Sequence, residues 1–122
     1  MGVIGAVTQS RVVPCDGVAR LQRASERAIK GEAAAEQGLV DDAKYYYRGA
    51  IADARSGLSS MNTLGLGETA AAADLRRAVQ YLQTKVDNEY GYSTPDGSGV
   101  QFAFAAVAAR MTLQSIEALY CY

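Results

Sequence analysis

The chain is predicted to fold as an all-α, antiparallel four-helix bundle preceded by an extended N-terminal segment. Three observations carry that expectation. Apolar residues recur at three- and four-residue spacing over most of the length, while no stretch alternates long enough to suggest a strand. Glycine-containing and polar clusters divide the periodic pattern into four stretches. The last stretch, Ser98 to Tyr122, holds only two charged residues, Arg110 and Glu117. Those two stand two helical turns apart, so a helix there has one narrow polar line and is apolar almost all round.

Residues 1–15 read as extended or irregular, because Pro14 bars a helix across that point. Asp16 is placed to cap a first helix whose apolar positions are Val18, Leu21, Ala24 and Ala28. This helix ends near Gln37-Gly38, a suitable stop. The second opens with Asp41-Asp42 in its first turn, where acidic residues suit the helix dipole. Its inward face is expected to be Val40, Ala43, Tyr47, Ala50, Ala54 and Leu58, with Met61 beyond. Alanines between larger residues predict a close hairpin with the first helix. Asn62 to Gly67 reads as a turn, and Glu68 as the start of a third helix. That helix should bury Ala71, Leu75, Ala78 or Val79, Leu82 and Val86, leaving Arg76, Arg77, Gln80 and Lys85 to water. Residues 88–99 form a loop of about a dozen residues, long for a small bundle. The fourth helix carries two apolar series: Phe102, Ala106, Ala109, Leu113, Ile116, Tyr120, and Val100, Phe104, Val107, Met111. Either both are covered and the helix is central, or the second series is offered to a partner.

A chain of 122 residues is one domain, with an N-terminal segment over 1–15 and the bundle over 16–122. Nearly half the residues are apolar and a fifth charged, the balance of a globular protein. A net charge of −1 with scattered Lys and Arg gives no footprint for nucleic acid or an anionic membrane surface. Met1 to Val7 lacks the basic flank of a signal peptide. Two cysteines near opposite ends, without a Cys-x-x-Cys, do not suggest a disulfide framework, and a reducing cytoplasmic compartment is expected. There is no histidine, which removes the usual proton shuttle, the commonest zinc ligand and every Ser-His or Cys-His pair. No enzyme activity, cofactor or metal is expected.

Tyr45-Tyr46-Tyr47 places one ring in the core, and periodicity selects Tyr47. Tyr45 and Tyr46 are then either a contact patch or a pair packed at the bundle margin. The glycine pairs at 65–67 and 97–99 lack the strand and Lys-Ser/Thr continuation of a phosphate loop and read as turns. Asp16, Asp41 and Asp42 read as helix-start residues rather than metal ligands.

Several short stretches resemble the flagellar secretion chaperones that hold flagellin before export, the FliS family. Thr8-x-Ser10, Val12-Val13 and Asp16-Gly17-Val18-Ala19-Arg20 are similar to the family's T-x-S segment leading into a "YDGALRF" helix, with Cys15 at the tyrosine position. Gly38-Leu39-Val40-Asp41-Asp42-Ala43 resembles "GDIEEA". Ala50 and Ser59-Ser60-Met61-Asn62 match a later alanine and an "SSLN" ending. Gly67-Glu68-Thr69-Ala70 resembles "GEIA", and Leu75 to Leu82 the "LYxYM"-type stripe. The likeness spans most of residues 8–86; residues 30–37 read as an insertion and the 88–99 link is longer. The resemblance implies a cytoplasmic, non-enzymatic bundle that holds the C-terminal helical segment of flagellin in apolar grooves and blocks premature assembly. It also implies that the N-terminal segment packs on the bundle. The partner-binding residues expected are Val12, Val13, Tyr45, Tyr46, Val100, Phe104, Val107 and Met111. The alternatives are a helical interaction module of tetratricopeptide type with another client, or a homodimer through the last helix.

Overall fold

The computed structural model describes residues 15–88 and 96–121. Within them the protein is all-helical: α1 (Gly17–Glu36), α2 (Val40–Thr63), α3 (Ala70–Asp87) and α4 (Ser98–Cys121). The expected N-terminal segment, with Val12 and Val13, lies outside the described residues, as does most of the 88–99 loop.

The links after α1 and α2 are built alike. After α1, Gly38 at φ 74° lets its own N–H reach the Ala35 carbonyl and Leu39 N–H reach that of Ala34. After α2, Gly65 at φ 80° does the same with Asn62 and Met61. Each is a left-handed glycine closing a helix by satisfying its last carbonyls, which side chains with a Cβ resist. The third helix begins two residues later than Glu68, because Thr69 is the cap: its Oγ1 accepts from Ala72 N–H at 3.3 Å.

The helices pack as a bundle. α1 lies chiefly against α2 and α4, α3 lies against the same two, and α1 and α3 do not meet. The core is the set read from periodicity: Leu21, Ala24, Ala28, Tyr47, Ala50, Ala54, Leu75, Leu82, Phe102, Ala106 and Leu113 are all buried. Val40 and Leu58 are half-buried at its edge. The α1/α2 seam is the closest. A Cβ on Gly57 would stand 2.4 Å from Leu21 Cδ2, and one on Gly31 2.6 Å from the Tyr47 ring. Leu21 is fully buried and has nowhere to retreat. Gly57→Ala is therefore expected to lower stability by about 1–3 kcal/mol in urea denaturation, despite alanine's better helix propensity.

Three expectations about polar residues fail, and α4 turns one of its two charges inward. Asp16 precedes α1 but makes no side-chain cap; its carboxylate binds Arg20 Nε at 3.0 Å. Lys85 is buried rather than in water. On the polar line of α4, Glu117 faces inward at only 5% exposed, while Arg110 is half-buried with its Nη1 donating to the exposed Gln114. The buried line of α4 consequently runs Phe102, Ala106, Ala109, Leu113, Glu117, while Ile116 is half-buried and Tyr120 exposed. Finally, Cys15 and Cys121 are joined in a disulfide, with Cα atoms 5.8 Å apart. The start of α1 sits at the end of α4, so residues 106 apart in sequence become neighbours.

Candidate binding face

Two carboxylates stitch α1 to α4. Glu117, on α4, accepts from the N–H groups of Gly17 (2.9 Å) and Val18 (3.1 Å), the first turn of α1. Glu32, on α1, accepts from Gly99 N–H (2.8 Å) and Gly97 N–H (3.4 Å) at the start of α4. Both carboxylates are buried, each at a helix N-terminus where unpaired N–H groups and the dipole favour a negative charge. Gly99 makes this approach possible: a Cβ there would stand 2.7 Å from the Ala28 carbonyl oxygen. Each helix thus caps the other, and α4 is held in one rotational setting about its axis. That setting decides which residues point outward.

A third buried carboxylate, Asp53 on α2, meets an arginine row from α1: Arg27 Nη1 at 2.7 Å, with Arg20 and Arg23 at 3.7 Å. Near the start of α4, Lys85 Nζ binds Asp96 Oδ1 (2.7 Å) and Ser98 Oγ (3.0 Å) and lies 5.7 Å from the centre of the Tyr47 ring. Burial alone raises the Asp96 carboxyl, but bonds from Lys85 and Ser98 outweigh it and hold the group well below the usual carboxylate range. The Tyr47 hydroxyl is buried with no partner among the described residues, and burial pushes it far above the usual tyrosine range.

Ser98 and Lys85 have the makings of a Ser–Lys nucleophile, but their surroundings use up each part. Lys85 is paired with Asp96. The N–H groups that would receive an oxyanion are committed, Ser98 N–H to Asp96 Oδ1 (3.0 Å) and Gly99 N–H to Glu32. The cluster is a clasp between α3 and α4. No group of three or more His, Cys, Asp or Glu side chains is placed to hold a metal among the described residues.

The outward face of α4 is different. Phe104 is 71% exposed, Met111 64% and Leu119 77%, with Val100 and Ala108 also exposed and Val107 half-buried. Gln101, Gln114, Ser115 and Ala118 fill the rest, so no charge interrupts the face. Phe104 forms a crest between two shallow grooves. On the α1 side, Ile29, Lys30, Val100, Ala103 and Val107 line a groove of about 400 Å3. On the α3 side, Ala78, Tyr81, Gln101, Ala105 and Ala108 line one of about 520 Å3. Large exposed apolar side chains at helical spacing, rimmed by polar residues, mark interaction surfaces rather than ordinary protein exterior.

Of the expected partner-binding residues, Val100, Phe104, Val107 and Met111 share this one face. Tyr45 and Tyr46 do not: they sit on α2, edge to face at 5.4 Å, Tyr45 71% exposed and Tyr46 half-buried under the α2/α1 margin. Lys30 bridges the two regions, lying 5.9 Å over the Tyr46 ring while lining the α1/α4 groove. Ile29, exposed beside that groove, was missed by the sequence reading. Its signal was an isoleucine just off the Leu21, Ala24, Ala28 line, among residues otherwise polar.

By length and composition α4 is also apolar enough to cross a membrane. Its inner line is nonetheless the bundle core and its Glu117 the cap of α1, uses that surrounding lipid would deny. Fold and face together define a four-helix bundle whose last helix presents an uncharged outer face. No family model matches the chain, and neither a curated protein nor a solved structure matches it.

Proposed function

We propose that the protein is a non-enzymatic binding bundle, antiparallel in topology, that takes up an apolar helical segment of a client protein along α4. The observation that supports this reading most is the uncharged outer face running from Val100 to Leu119 beside two grooves. An amphipathic helix laid into such a groove reads as anchors at three- and four-residue spacing, which Val100, Phe104, Val107 and Met111 mirror. The specific client implied by the resemblance is the C-terminal helical segment of flagellin, held in the cytoplasm so that its assembly surfaces are masked. The Cys15–Cys121 disulfide counts against a reducing compartment and favours the form of this reading that leaves the client and compartment open. An adaptor with an unrelated helical client is the second form of the same reading. Absence of histidine and the closed Ser98–Lys85 cluster support a role without chemistry.

The test is titration of a flagellin C-terminal peptide into the protein by calorimetry. Saturable binding with a rise in peptide helicity is expected, its affinity reduced by the cost of ordering the peptide. Phe104→Glu should weaken it by at least about tenfold, as loss of a central aromatic anchor does, with thermal unfolding unchanged because Phe104 is outside the core. Absence of binding at high peptide excess removes the flagellar client; binding that ignores Phe104→Glu removes the α4 face.

A further inference from the structure

We propose that, without a client, the outer face of α4 is closed by a second copy of this chain, α4 against α4 running head to tail about a two-fold axis over the helix midpoint. The inference rests on the reading of α4 as an interface, and three features of that face select the occupant.

The first is charge. In a two-fold interface each patch meets its own copy, so an uncompensated charge confronts its like. The outer face of α4 itself carries none, and Arg110, the one cation in the middle of α4, lies half-buried at its flank, where its Nη1 donates to Gln114 Oε1 at 3.3 Å.

The second is relief. A head-to-tail axis at the helix midpoint sets Phe104 opposite Ser115 of the copy, Met111 opposite Ala108, and Val100 opposite Leu119. Phe104 and Met111 then each meet a small residue, as facing helices interdigitate at core density, and Val100 meets Leu119 at the two ends. A parallel pair would stack Phe104 on Phe104 and leave Ala108 and Ser115 facing gaps.

The third is size. A 24-residue helix is about 36 Å long and about 11 Å across with its side chains, so its outer half presents on the order of 600 Å2. Ile29 of α1 and Tyr81 of α3, both exposed at the margins, extend this towards the roughly 800 Å2 per partner of a standard specific interface.

Sedimentation equilibrium of the full chain across the micromolar range is the test, with helicity by circular dichroism confirming that each variant folds. A dimer is expected. Phe104→Glu alone and Ser115→Lys alone should each weaken it at least about tenfold. The combination of Phe104→Glu with Ser115→Lys should restore it, because head-to-tail order sets the two new charges against each other. A monomer at every concentration overturns the proposal, as does a dimer indifferent to Phe104→Glu. A dimer broken by the single changes and not restored by the pair overturns the head-to-tail arrangement. The peptide titration separates this from the client reading: a monomer that binds peptide sinks only the dimer, and a dimer that ignores peptide sinks only the client.

Discussion

Replacing Cys15 and Cys121 with serine, or reducing the bridge between them, is expected to lower the unfolding free energy by about 4–5 kcal/mol. The figure follows from the chain-entropy account: a cross-link between residues 106 apart removes the loop-closure entropy of a long loop from the unfolded chain. Against a typical stability of about 5–15 kcal/mol for a domain, this is the largest single contribution named here. The fold itself should persist, since the α1 and α4 ends are also held by Glu117 and the core lies between them. Urea denaturation of the oxidised protein, the reduced protein and the double serine variant provides the check. The same midpoint in all three would show that the bridge contributes nothing.

The second large effect belongs to the two capping carboxylates. Glu117→Ala leaves the Gly17 and Val18 N–H groups without their acceptor and opens a void where the side chain lay. A loss of about 2–4 kcal/mol is expected, combining stranded donors with the missing cap and the cavity. Glu32→Ala should cost a similar amount at the start of α4. Glu117→Gln keeps an acceptor but removes the charge from the dipole, so its cost should be about 1 kcal/mol. The exposed Glu26→Ala serves as a reference and should stay within about 0.5 kcal/mol of the parent. If Glu117→Ala behaves like Glu26→Ala, the carboxylate is not acting as a cap.

These two features were also the least readable in the sequence, for different reasons. Apolar periodicity located the core well, from Leu21 and Ala24 to Tyr47, Leu75 and Leu82, because burial of such side chains drives the packing. It also picked out the α4 series Val100, Phe104, Val107 and Met111, without deciding whether that series was covered or outward. Glu32, Lys85 and Glu117 went unread as core residues because charge ordinarily means water. Register says otherwise: Glu32 follows Ala28 by four residues and Glu117 follows Leu113 by four, each on the buried line. A carboxylate on an inward register near a helix end is the mark of a cap supplied from another helix. The cysteines needed a different step. The start of the first helix and the end of the last lie side by side, as the Glu117 bonds to Gly17 and Val18 show. Cys15 and Cys121 flank those two points. Local pattern cannot pair residues so far apart; topology can.

The bridge has a mechanical consequence. It joins a residue two positions ahead of the first helix to the last residue of the fourth, so the helical body hangs as a closed loop from a single sulfur–sulfur link. Tension applied between the chain ahead of Cys15 and the chain beyond Cys121 passes through that link and bypasses the helices. Only after reduction would a pull on the two ends begin to peel the bundle apart.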